Sequence, residues 1–273
     1  MQFLSSIPLV VTSALVIFSP LQEGGTTHVA QMIIRFLILA WAGGALALSI
    51  RQGRLTIPLL SVRYFVLVFL GFAVIATMFS PYAHPSRQWL FTIICYATLF
   101  YLLVSFVDRW EHVHTLTIVV VLMGVGEAAL TILQGLVWND MRPSGTFFNP
   151  NFLAGYLAVS WAILLSAAVY GYRRTAALHW LPISPTLWWF GVGASLGSLF
   201  LAVLLTQSRG GMIVVLVATV FIVMARYGWK VAGSCLVLLM VGGLLIPTPL
   251  RERVQAEHQQ NPVSYARLQM WQG

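Results

Sequence analysis

Nine long apolar runs, separated by short polar breaks, fix what this chain can become. They are approximately Leu4–Phe18, Val29–Ile50, Leu60–Phe79, Trp89–Val107, Thr115–Val137, Phe152–Tyr170, Leu187–Leu205, Met212–Ala225 and Val231–Ile246. A bilayer core of about 30 Å takes about 20 apolar residues at 1.5 Å each when the backbone is helical. In lipid every peptide group needs an internal partner, so continuous apolar runs of this length predict helices. Composition agrees: 59% of the 273 residues are hydrophobic and 8% are charged, with a mean hydropathy of +0.86. The expected fold is all-α, a polytopic transmembrane helical bundle over residues 1–246 followed by a short segment, 247–273. The first and eighth runs are short and suit helices that tilt little or pack away from lipid.

The net charge of +8 does not point to nucleic acid. Fourteen of the 15 basic residues are arginine, and they are dispersed among the breaks. The breaks after runs two, four, six and eight hold Arg51, Arg54, Arg63, Arg109, Arg173, Arg174, Arg226 and Lys230, against Arg87, Arg142 and Arg209 in the others. Eight against three places the first set in the cytoplasm, the N-terminus with it, and residues 247–273 outside. Cys95 and Cys235 both fall inside apolar runs and read as small core residues. Trp89, Trp110, Trp138, Trp180, Trp188 and Trp189 lie near run ends, the placement of an interfacial belt. His112 and His114 read as residues of a cytoplasmic loop.

On the outer side one break stands apart. Met141 to Asn151 reads M-R-P-S-G-T-F-F-N-P-N and gathers Arg142, Ser144, Thr146, Asn149 and Asn151 with two prolines and a glycine. Pro150 suits the first turn of a following helix. A guanidinium, hydroxyls, amides and open N–H groups at a helix start are the parts of an anion or sugar site. The same residues also make a rigid connector, and both readings stand at this point. A second outer turn, Thr206-Gln207-Ser208-Arg209-Gly210-Gly211, carries the other arginine beside two glycines that allow close approach of backbone. Arg87 reads as a solvated loop charge.

Two charges fall well inside runs. Arg35 lies six residues into the second, where it either snorkels outward or faces a cavity with Arg142 and Arg209. Glu127 lies mid-way along the fifth, with Thr131 and Gln134 at i+4 and i+7 on the same face. An ionised carboxylate there needs a partner or water, so Glu127 is either paired to an arginine for architecture or catalytic. No phosphate-binding glycine loop, paired cysteines or helical histidine pair is present.

Taken together, Glu127 and Gln134, then R-P-S-G-T-F-F-N-P-N-F-L-A, then S-R-G-G opening a later run, resemble the O-antigen ligase and O-antigen polymerase superfamily of bacterial membrane glycosyltransferases. The tail R-L-Q-M-W is similar to the start of that family's large periplasmic segment. The resemblance implies transfer of a glycan from an undecaprenyl-diphosphate carrier to lipid A-core, to a growing glycan or to a protein. It implies the outer face of the inner membrane, with no ATP, metal or other cofactor. It assigns Arg142 and Arg209 to the carrier diphosphate, with Glu127 as a further catalytic candidate. Arg35, Gln134, Ser144, Thr146, Asn149, Asn151 and Ser208 are then candidate substrate contacts. The family's histidine base has no counterpart here, since His258 stands in no matching context. The resemblance therefore implies the N-terminal part of a longer enzyme, inactive alone. A transporter or flippase is the rival expectation, with Arg35 and Glu127 marking a path.

Overall fold

A computed structural model describes residues 2–51, 63–107, 109–171 and 184–245. The tail 247–273 with His258, the loop arginines Arg54, Arg173 and Arg174, and Trp180 lie outside the described residues. Those described form helices and turns, with no strand among them. The helices are α1 (Gln2–Leu21), α2 (His28–Arg51), α3 (Arg63–Met78), α4 (Ala83–Phe106), α5 (Trp110–Leu136), α6 (Pro150–Ser166), α7 (Pro185–Leu205), α8 (Arg209–Tyr227) and α9 (Trp229–Leu245). A single π-helical turn, Ala167–Gly171, extends α6.

Each helix falls on one of the nine apolar runs. Six of them, α2, α4, α5, α6 with its π turn, α7 and α8, are long and apolar enough to cross a membrane, whereas α1, α3 and α9 carry shorter apolar stretches. The chain is thus a multi-pass, all-helical membrane protein by the length and composition of its helices. Two helices start five or six residues earlier than the apolar runs suggest. Pro85 is tolerated in the first turn of α4, so the helix begins at Ala83 and takes in Arg87, whose Nε donates to the Ala83 carbonyl. Arg87 is therefore an exposed helical residue and not a loop charge. Likewise α5 begins at Trp110, which puts His112 and His114 in helix.

The described chain forms two compact units, within Met1–Val120 and within Val121–Gly273. In the first, α2 packs on α1 and α4, around Leu15, Ile38 and the buried Cys95, and α3 packs mainly on α4. Most of α3 is left uncovered: Phe65, Val68, Phe69, Phe72 and Ile75 are all exposed. An apolar surface of that kind suits lipid and would be unusual on a water-soluble monomer.

In the second unit α6 is the central post, packed against α7 and α8, with α9 covering α8. Leu153, Leu157, Trp161 and Leu164 recur at helical spacing and bury against Leu199, Val203 and Val215. Two small-residue contacts set the spacing. A Cβ at Gly124 of α5 would strike the Ser160 side chain, and one at Gly211 of α8 would lie 2.6 Å from the Ala154 Cβ. Glycine at both points lets helices close without strain, as is common in membrane bundles. The indole N–H of Trp161 donates to Thr219 Oγ1 at 2.9 Å. Ala154 faces Gly211 and Trp161 faces Thr219, so α6 and α8 run the same way and start at the same end of the unit.

Candidate functional site

The Met141–Asn151 stretch lies at that shared end and folds back along α5. Pro143 and Phe147 are buried, which turns the segment inward between α5 and the core. Two side chains of α5 receive it. Gln134 makes a reciprocal pair with Gly145: its Nε2 donates to the Gly145 carbonyl at 2.9 Å, and its Oε1 accepts from the Gly145 N–H at 2.7 Å. Two turns further along the same face, Glu127 takes both donors of Thr146. Its Oε2 accepts from the backbone N–H at 3.0 Å and its Oε1 from the hydroxyl at 2.6 Å. Between these anchors Phe147 N–H donates to the Ser144 carbonyl, closing a tight turn. Gly145 has φ +60°, and a Cβ there would meet Glu127 Oε2 and Leu153. Only glycine suits that position.

Glu127 is 3% exposed, and Thr131, one turn on, spends its hydroxyl on the Glu127 carbonyl. Among the described residues the Glu127 carboxylate is met by Thr146, a neutral pair of donors that satisfies both oxygens in a buried place.

The two arginine-bearing turns come together. Arg142 Nε donates to the Thr206 carbonyl at 3.2 Å and its Nη2 to Asn151 Oδ1 at 2.8 Å, while its own N–H donates to Asp140 Oδ1. Gln207 Nε2 donates to the Met141 carbonyl at 2.7 Å. Thr206 and Gln207, which sequence reasoning did not single out, thus tie the second turn to the first. Gln207 holds φ +55°, uncommon for a residue with a side chain, and its bond to Met141 fixes it there. Their only signal in the sequence is a polar break shared with Ser208 and Arg209.

The starts of α6 and α8 both carry a cap. Asn149 caps α6, its Oδ1 accepting from the Asn151 N–H, and Ser208 caps α8, its hydroxyl accepting from the Gly211 N–H. At α6 the expected open N–H groups are used up. Pro150 has none, Asn151 binds the cap, and Phe152 and Leu153 donate to the Asn149 carbonyl. At α8 Arg209 and Gly210 are exposed, and a side chain at 210 would meet nothing within 4 Å. Positive character at this end therefore resides in two guanidinium groups and the start of α8.

Arg35 belongs to the first unit and has its own setting there. Half-buried on α2, its Nη2 donates to Gln31 Oε1 and to Thr92 Oγ1 of α4, and its guanidinium lies over the Phe91 ring. Reaching back one turn to Gln31 directs it toward the start of α2, the direction of snorkelling. Among the described residues no three metal-ligating side chains converge. No protein-family model, no curated protein and no solved structure matches this chain.

Proposed function

We propose that the chain provides the carrier-binding arginines of a bacterial inner-membrane glycosyltransferase of the O-antigen ligase or polymerase kind. That enzyme would move a glycan from an undecaprenyl-diphosphate carrier to a hydroxyl of lipid A-core, a growing glycan or a protein, in cell-surface polysaccharide synthesis. In this reading all nine helices cross, with the N-terminus cytoplasmic and the arginine turns outside. The 16-residue α3, about 24 Å long, crosses by local thinning of the bilayer.

The observation that carries the proposal is the junction of the two turns. Arg142 and Arg209 stand on segments joined through Thr206, Asn151, Gln207 and Met141, at the start of two parallel helices. In the reaction the bond between the anomeric carbon and the carrier oxygen breaks, and the acceptor oxygen bonds to that carbon and loses its proton. Negative charge gathers on the departing diphosphate. Guanidinium groups already in place stabilise that charge more in the transition state than in the substrate, which is what lowers a barrier. The transport reading needs Glu127 to face a path, whereas both its oxygens take hydrogen bonds from Thr146.

The test is binding of farnesyl diphosphate, a short polyprenyl diphosphate, to the protein in nanodiscs. Arg142→Lys and Arg209→Lys should each weaken binding about tenfold or more, because an ammonium cannot present the paired donors of a guanidinium. Wild-type affinity in Arg209→Lys would remove that turn from the site.

A further inference from the structure

The Glu127 carboxylate and the Gln134 amide do the same job on adjacent residues. Each engages one residue of the turn through two hydrogen bonds, and the two are seven residues apart on one face of α5. Thr146 and Gly145 are thereby pinned at two heights along the helix. The pinned segment continues on one side into Arg142 and on the other into the Asn149 cap of α6 and Asn151, which itself accepts from Arg142. Pro143 and Phe147, both buried, complete the attachment.

We propose that Glu127 and Gln134 are positioning residues: a two-point clasp that holds the Ser144–Phe147 turn and, through it, the Arg142 guanidinium. Glu127 works as a hydrogen-bond acceptor for Thr146 and neither transfers a proton nor touches ligand. The clasp is a matter of geometry, and only its ligand-binding arm rests on the function proposed above.

Hydrogen-bond chemistry separates this role from a catalytic one. Thr146 offers a backbone N–H, which only donates, and a hydroxyl, which donates or accepts. A glutamine at position 127 can accept from the N–H with its Oε1 and donate to the hydroxyl with its Nε2. That is the reciprocal pairing Gln134 already makes with Gly145. Glu127→Gln therefore keeps both bonds and discards the charge. Glu127→Met keeps the length and discards both bonds.

The experiment places a spin label at the exposed position 148, on a background with Cys95 and Cys235 replaced, in nanodiscs. It measures label mobility together with affinity for farnesyl diphosphate. The label should be as immobile in Glu127→Gln as in the parent, mobile in Glu127→Met, and intermediate in Thr146→Val, which keeps the N–H bond alone. Affinity should stay within about threefold in Glu127→Gln and fall about tenfold or more in Glu127→Met, following the bonds and not the charge. An immobile label in both Glu127→Met and Thr146→Val overturns the clasp. So does a Glu127→Gln protein whose label is as mobile as in Glu127→Met. Loss of affinity in Glu127→Gln with an immobile label shows that the carboxylate itself is required, and overturns the positioning role. If the parent binds no diphosphate, the functional reading fails, while label mobility still decides the clasp.

Discussion

Adding one methyl group at Gly211 tests the arrangement of the second unit most sharply. A Cβ there would lie 2.6 Å from the Ala154 Cβ, and 3.4 and 3.5 Å from the Ala154 carbonyl carbon and Cα. Carbon atoms rest at about 3.5–4.0 Å, so α6 and α8 must part by roughly 1 Å. Forcing a methyl into a packed contact costs about 1–3 kcal/mol. Alanine returns about 1 kcal/mol over glycine in a helix, leaving a net loss of about 0–2 kcal/mol. Gly210 is the matched control. It is next in the chain, in the same first turn of α8, and a Cβ there meets nothing within 4 Å. Gly210→Ala should be neutral or stabilise by up to about 1 kcal/mol, so the two neighbours should differ by about 2 kcal/mol. Reversible unfolding in mixed micelles, followed by circular dichroism, reads this difference. The rescue is Ala154→Gly, which removes the opposing Cβ. Combined with Gly211→Ala it should recover about 1 kcal/mol or more relative to additivity in a double-mutant cycle. Equal stability of Gly210→Ala and Gly211→Ala, or strict additivity with Ala154→Gly, would refute the close α6–α8 contact. It would also undercut the site built on it, because the same contact brings Asn151 and Ser208 to one end.

Two further outcomes follow from single elements. Thr219→Val leaves the buried Trp161 indole N–H without its acceptor and should cost about 0.6–1.7 kcal/mol, measured in the same unfolding assay. α5 spans 27 residues, about 40 Å, so its two ends should be reached from opposite faces of the membrane. A cysteine at the exposed Asn139 should react with an impermeant thiol reagent in intact cells and one at the exposed Glu111 should not; the reverse pattern would invert the proposed orientation.

The helices were legible because apolar run length is a local property. Their starts were less so. α4 begins at Ala83 and not at Trp89 because a polar first turn around Pro85 is good helix and poor hydropathy. The shared face of Glu127, Thr131 and Gln134 could be read from spacing alone, since helical periodicity fixes it. What they touch could not. Gly145 and Thr146 lie 11 and 19 residues from their partners, and nothing local says that the chain doubles back along α5. Two hints were present: Pro143 and Phe147 are apolar residues in a polar break, which suits burial, and Gly145 precedes the hydroxyl that Glu127 takes. Thr146 meets the buried Glu127 carboxylate with two donors from one residue, one to each oxygen.

Nearly every polar side chain of the Met141–Asn151 stretch and its neighbours thus has a duty inside the protein, and this bears on how such a turn would treat an anion. Asn149 and Ser208 cap helices, Gln134 and Thr146 hold the turn, and Asn151 accepts from Arg142. A turn built to bind through all of these would have to break its own supports when ligand arrived. The Arg142 guanidinium offers five donors in a rigid plane, and its bonds to the Thr206 carbonyl and to Asn151 orient that plane. The Thr206 carbonyl belongs to the C-terminal cap of α7, where helix dipole and carbonyl both favour a cation. Arg142 is held there before any ligand is present, so ordering it costs little at the moment of binding. Lysine in its place would lose the plane and with it the orientation, which is why Arg142→Lys is the informative substitution and Arg142→Ala the blunt one.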